Sequence, residues 1–315
     1  MSKHTAPQGK SSPDTSRATR KAAPSALALG LLLGAAAPAA ALDIQALWDF
    51  RQPALSEQRF RDALKKLPPA SDEALILQTQ IARSYGLRRD FDAARRVLRE
   101  QVEPQLARAG AEPRVRHALE LGRSYASATH PPEQRTAESK ALAREAFERA
   151  LRLAREAGLD ALAVDAVHMF AFVDEAPADQ ARWAEQGLAI ALASTQPAAR
   201  QWEASLRNNL GLALHRQQRF DEALAQFRQA VLLREQLGDA GRLRVAHWMV
   251  AWTLRSLGRL DEALAIQLRL ARENEAAGTP DPYVFEELEA LYRAKGDEAE
   301  AARHAALRQQ AAQPR

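Results

Sequence analysis

Trp248, Trp252 and Arg255 stand at i, i+4 and i+7, so a helix that carries them presents all three on one face. Indole rings offer area, and a guanidinium offers a donor fork and cation–π contact. This is the chemistry of gripping a chain rather than of breaking a bond. Asn208 and His215 lie on the equivalent stripe 40 residues earlier, and Arg83 and Arg123 continue it toward the N-terminus. These seven residues form the candidate binding surface. The rest of the sequence offers little for catalysis. There is no H-E-x-x-H, no Gly-rich phosphate loop and no G-x-S-x-G. None of the seven histidines stands four residues from another, so a helical metal pair is not specified. Asp90 and Asp92, Asp221 and Glu222, and Asp261 and Glu262 recur at the starts of helices, where carboxylates cap free amides and suit the helix dipole. The one non-periodic cluster is the stretch 127–140, with His130, Glu133 and Arg135. The expectation is no catalytic residue, no cofactor and no metal.

The elements that position the candidate surface are helices. Ala, Leu, Arg and Glu dominate, while glycine (14) and aromatics (6%) are scarce. Prolines punctuate the chain at 53, 68–69, 104, 113, 131–132, 177, 197, 280 and 282, leaving 198–279 uninterrupted. Within that window Phe220, Ala223, Leu224, Phe227 and Val231 form one apolar stripe, and Leu206, Leu210, Ala213 and Leu214 another. The link 215–219 is short enough only for a tight antiparallel hairpin, with Gly211 at the crossing where a missing side chain lets the helices approach. The hairpin recurs. The small residue that opens each second helix is Ala94, Ala143, Ala184, Ala223, Ala263 and Ala301, at spacings of 49, 41, 39, 40 and 38. A fixed period of this size means stacked helical units.

The residues resemble the tetratricopeptide repeat in a longer-period form. Leu210-Gly211, Ala223, Phe227 and Ala230 follow its pattern, as do Leu121-Gly122, Tyr125, Ala143, Phe147 and Ala150. The first Trp of the family pattern is missing from every copy, and the period is near 40 rather than 34. The resemblance implies an all-α, right-handed superhelical solenoid of about six antiparallel hairpins, whose first helices line a concave face that binds extended protein or peptide partners. Asn208-Asn209 is similar to the asparagines of carboxylate-clamp repeats, but the lysines of that clamp are absent. The expected organisation is a signal peptide over 1–41, an N-terminal capping half-repeat over 42–69 (with Ser56, Phe60 and Ala63 as its packing face), repeats over 70–308, and a disordered tail over 309–315.

The net charge of +4 comes entirely from the first 41 residues, and from Leu42 onward acidic and basic side chains balance at 39 each. Without a surplus of cations there is no support for nucleic-acid binding. Those 41 residues run from a basic zone through the apolar run 26–37 to a small-residue A-x-A site at Ala39 and Ala41. The uncharged stretch 22–42 is rich in Ala, Pro and Gly, which favours cleavage over a retained anchor and leaves no membrane span afterwards. The protein is therefore expected in the periplasm or outside the cell. Its expected role is a non-catalytic interaction module for a protein or peptide. The alternative is a helical-repeat regulator or an enzyme-associated subunit with a small-ligand site. Intact-mass analysis of envelope material should find a chain beginning near Leu42; a full-length soluble cytosolic product would overturn the export assignment.

Overall fold

In the computed structural model, residues 42–313 are described. The expected leader lies outside them. A single turn, α1 (Ile44–Leu47), leads into α2 (Pro53–Leu64). The helices that follow are α3 (Asp72–Leu87), α4 (Phe91–Val97), α5 (Ala111–Arg123), α6 (Ala137–Glu156), α7 (Asp160–Met169) and α8 (Pro177–Ala193). After the short α9 (Pro197–Arg200) come α10 (Glu203–Arg216), α11 (Phe220–Leu237), α12 (Ala240–Ser256), α13 (Leu260–Ala276), α14 (Pro282–Ala294) and α15 (Glu298–Ala311). Six hairpins result: α3–α4, α5–α6, α7–α8, α10–α11, α12–α13 and α14–α15. Each helix packs on its neighbours along the chain, and α2 packs on α3 in the place of a preceding second helix. No strand occurs among the described residues. The molecule is an all-α solenoid of antiparallel hairpins.

The same local chemistry starts and stops the helices from copy to copy. Ser71, Asp90, Thr136, Asp239 and Asp297 each accept a hydrogen bond from a backbone N–H three residues on, satisfying a free donor of the first turn. Four hairpin turns share one closure: the N–H groups of Asp90, Arg219, Arg259 and Asp297 reach back five residues to the carbonyls of Tyr85, Leu214, Leu254 and Tyr292, at 2.9–3.0 Å. The residue before each is left-handed, a glycine in two cases (Gly258, φ 74°; Gly296, φ 80°) but Arg89 and Gln218 in the others. Helix α4 is the shortest of the second helices. It loosens into a π-turn over Leu98–Val102, just before Pro104 removes a backbone donor. At the other end α15 runs to Ala311, into the stretch expected to be a disordered tail, because no helix breaker intervenes before Pro314.

The core is a succession of clusters rather than one centre. Phe60, Leu75, Ile81 and Leu98 fill the first, Leu119, Phe147 and Phe170 the next, and Leu210, Leu214, Phe227 and Leu254 a third. Two hairpins are locked by a ring laid on a glycine. A Cβ at Gly122 would lie 2.3 Å from the Phe147 ring, and one at Gly211 would lie 2.7 Å from the Phe227 ring. Both phenylalanines are wholly buried. The equivalent pair 40 residues on is Ala251 and Gln267. Gln267 is fully enclosed, and neither atom of its side-chain amide has a hydrogen-bond partner. Gly211→Leu should overpack its crossing and cost roughly 1–3 kcal/mol. Chemical denaturation checks this, and an unchanged midpoint would mean the ring–glycine contact does not hold the hairpin.

Candidate functional site

The seven candidate residues fall into two separate places on the first helices. Toward the C-terminal end, α10 and α12 bring three rings into a ladder. The imidazole of His215 stacks on Trp252, with centroids 3.4 Å apart and planes within 22°, and Trp252 stacks on Trp248 at 5.7 Å. The His215 ring is buried and shares a hydrogen bond of 3.0 Å between its Nε2 and Ser256 Oγ. Burial and the nearby charge of Arg255 push its pKa down to about 4, so it is a neutral ring at physiological pH. Both tryptophans are half-buried. They lie against the core on one side and are open on the other. Trp248 donates its indole N–H to the Tyr283 carbonyl at 3.2 Å. Beside it the large apolar side chains of Val245 and Tyr283 are 52% and 65% exposed, and all three border an open hollow of about 570 Å³.

Arg255, expected to offer its donor fork to a partner, spends it inside the fold. Its Nε and Nη2 donate to the two carboxylate oxygens of Glu287 on α14, both at 2.8 Å, and Glu287 is buried. The hydrogen bonds to Glu287 are the main reason its guanidinium holds its proton more tightly than usual. Arg255 therefore staples two hairpins and is a poor probe of partner capture. The buried side-chain Oδ1 of Asn208 has no hydrogen-bond partner among the described residues. The neighbouring Asn209 instead bonds His168 of α7.

Arg83 and Arg123 meet in the N-terminal half, in an open cavity of about 210 Å³ across α3, α5 and α7. Two acids and a histidine that were not among the candidates join them there: Glu120, Asp165 and His168. Glu120 Oε1 accepts from Arg123 Nη1 at 2.5 Å and, more distantly, from Arg83 Nη1 at 3.4 Å, and Arg123 Nη2 donates to Asp165. Burial opposes the charge of Arg123, but Asp165 and Glu120 outweigh it and hold the proton firmly. For Arg83 the balance is reversed. Burial and the like charge of Arg123 lower its pKa despite both acids. Burial alone would raise the Asp165 pKa, but Arg123 and Arg83 bring it below the usual carboxylate range. Burial is also the first cause that keeps His168 neutral. The only sequence signal for the acids is their spacing, Glu120 three residues before Arg123 and Asp165 three before His168.

The insertion does not bring its polar residues into one cluster. His130 is buried, stacks on Phe91 at 3.6 Å, and spends its ring nitrogens on Ser127 Oγ (2.9 Å) and the Ser124 carbonyl (3.2 Å). No hydrogen bond or ion pair joins it to Glu133, which is exposed. Among the described residues no group of His, Asp and Glu is placed to hold a metal ion, and no helix is long and apolar enough to cross a membrane.

Residues 202–271, spanning α10 to α13, match the family model of the tetratricopeptide repeat. Solved structures share the architecture at low identity. A STAND ATPase with a tetratricopeptide repeat sensor, from Pyrococcus horikoshii, superposes with a TM-score of 0.63 at 10% identity, covering 82% of this chain and 39% of its own. The Rap protein complexed with Competence and Sporulation Factor gives 0.53 at 14% identity, over 85% of this chain and 73% of its own. Aspartyl phosphate phosphatase F from Bacillus subtilis gives 0.52 at 14% identity, over 86% and 83%. This chain thus spans well under half the length of the first of these. No curated protein matches the sequence.

Arg255→Ala should leave the Glu287 carboxylate enclosed without its partner and cost about 1–3 kcal/mol. The double variant Arg255→Ala/Glu287→Gln should recover much of that loss in a denaturant titration. Equal midpoints for wild type and Arg255→Ala would show that the ion pair contributes nothing.

Proposed function

We propose, from the premise that the chain is a tetratricopeptide-repeat protein, that it is an exported, non-catalytic interaction module that docks an extended segment of a protein partner on the aromatic surface of α10, α12 and α14. The observation that carries this reading is the half-open ladder of His215, Trp252 and Trp248, extended by exposed Val245 and Tyr283. A contiguous apolar surface of this kind is what a soluble protein keeps only where something binds. The rings are stacked and already held in place, so a partner meets a rigid surface and little ordering cost falls on this side of the contact. Tryptophans in such a setting are typical anchors. The Rap protein, of similar fold, was solved complexed with Competence and Sporulation Factor, which supports a binding role for this kind of solenoid. Export rests on the basic zone, apolar run and A-x-A site of the first 41 residues.

Selection of a random peptide phage library on the purified protein tests the surface. Enriched peptides should carry apolar or aromatic anchors. They should bind Val245→Asp and Trp248→Ala at least about tenfold more weakly, a loss of about 1.4 kcal/mol. Val245 is mostly solvent-exposed, so Val245→Asp should fold as the wild type does. Peptides that bind both variants as well as wild type would remove the aromatic surface from consideration.

A further inference from the structure

The cavity across α3, α5 and α7 holds more charge than a packing seam needs. Arg123 donates to Glu120 on its own helix and to Asp165, and the second bond ties α5 to α7. Arg83 is less engaged. Its single polar contact is the 3.4 Å approach to Glu120, and its remaining N–H groups have no acceptor among the described residues. Its guanidinium carbon sits 6.0 Å from the centre of the Trp48 ring and 5.9 Å from that of Phe50, which places the residues just before α2 beside this end of the cavity. On the acidic side, Glu120 is 4% exposed and its Oε2 has no hydrogen-bond partner. The side chain of His168 is also set. Asn209 Nδ2 can only donate, so His168 Nδ1 accepts and the ring proton is on Nε2. Leu87, Met169, Phe172 and Trp202 supply apolar wall.

The cavity therefore carries two guanidiniums, two carboxylates and a neutral imidazole, a balance of zero. A net anion would face both carboxylates, and a net cation both guanidiniums. An uncharged apolar guest would strip water from Arg83 and leave Glu120 Oε2 unmet, which is costly. A guest with both signs meets both needs. We propose that this cavity binds a small zwitterion with an apolar side chain, its carboxylate toward Arg83 and its ammonium toward Glu120 and Asp165. A free α-amino acid and a free short peptide both carry that chemistry. The site is separate from the aromatic surface and does not depend on it.

Isothermal titration of the purified protein tests the assignment, with L-leucine, L-methionine, L-phenylalanine and L-leucyl-L-leucine as probes. N-acetyl-L-leucine, which lacks the ammonium, and L-leucinamide, which lacks the carboxylate, are the controls. At least one zwitterion should bind saturably at one site, and both blocked forms should bind at least about tenfold more weakly. Tighter binding of the dipeptide would identify a peptide ligand, and the reverse a free amino acid. Arg83→Met and the near-isosteric Glu120→Gln should each weaken binding by a similar factor while the circular dichroism melt of Glu120→Gln stays near that of wild type. Trp248→Ala should leave the titration unchanged. The proposal fails if no zwitterion binds at millimolar concentration, if either blocked form binds as well as its parent, or if Trp248→Ala abolishes binding while Arg83→Met and Glu120→Gln do not.

Discussion

A benzene ring laid on a bare backbone sets the distance between the two helices of a hairpin. At Gly122 and Gly211 the ring of Phe147 or Phe227 occupies the space a Cβ would need. That fixes how closely α5 meets α6 and α10 meets α11. The outward faces of these helices are placed by the same contact, so the residues on the first-helix faces of α5 and α10 inherit their position from it. Because each hairpin packs only on its neighbours, the geometry is passed along the stack one contact at a time.

The repeat prescribes which residues face inward to the partner helix and which face the shared surface, but not the chemistry of that surface. The N-terminal half of the stripe became ionic, with Arg83, Glu120, Arg123 and Asp165 from three first helices. The C-terminal half became aromatic, with His215, Trp252 and Trp248. One scaffold thus carries two surfaces with opposite solvation demands. Nothing in the fold couples their ligands by type.

The hairpins were legible because their signals are local. The i, i+3, i+4 stripes, the short links and the recurring small residues lie within one or two helices of each other, and the helices stand where those patterns put them. That His215 lies beside Trp252 could be read for the same reason, since both are on the same stripe of first helices in adjacent copies. The partner of Arg255 could not. Glu287 is 32 residues away on the next first helix, and a stripe tells which face a residue is on, not what waits opposite. The same applies to Glu120 and Asp165. Each looks like an ordinary helix-surface acid until the stack sets it beside an arginine from another hairpin.

Gln267 stands where Phe147 and Phe227 stand in their hairpins, with Ala251 in place of the glycine, and its amide is sealed in without a partner. Unmet polar groups of this kind cost about 1–3 kcal/mol each. In a stack stabilised by nearest-neighbour contacts, that loss is confined to the α12–α13 hairpin. The α12–α13 hairpin thus lacks both the ring and the close approach that hold α5 to α6 and α10 to α11. Trp248 and Trp252 ride on that hairpin. A guest settling on them would bind the hairpin that carries this unmet amide, and its contacts would add to that hairpin's stability.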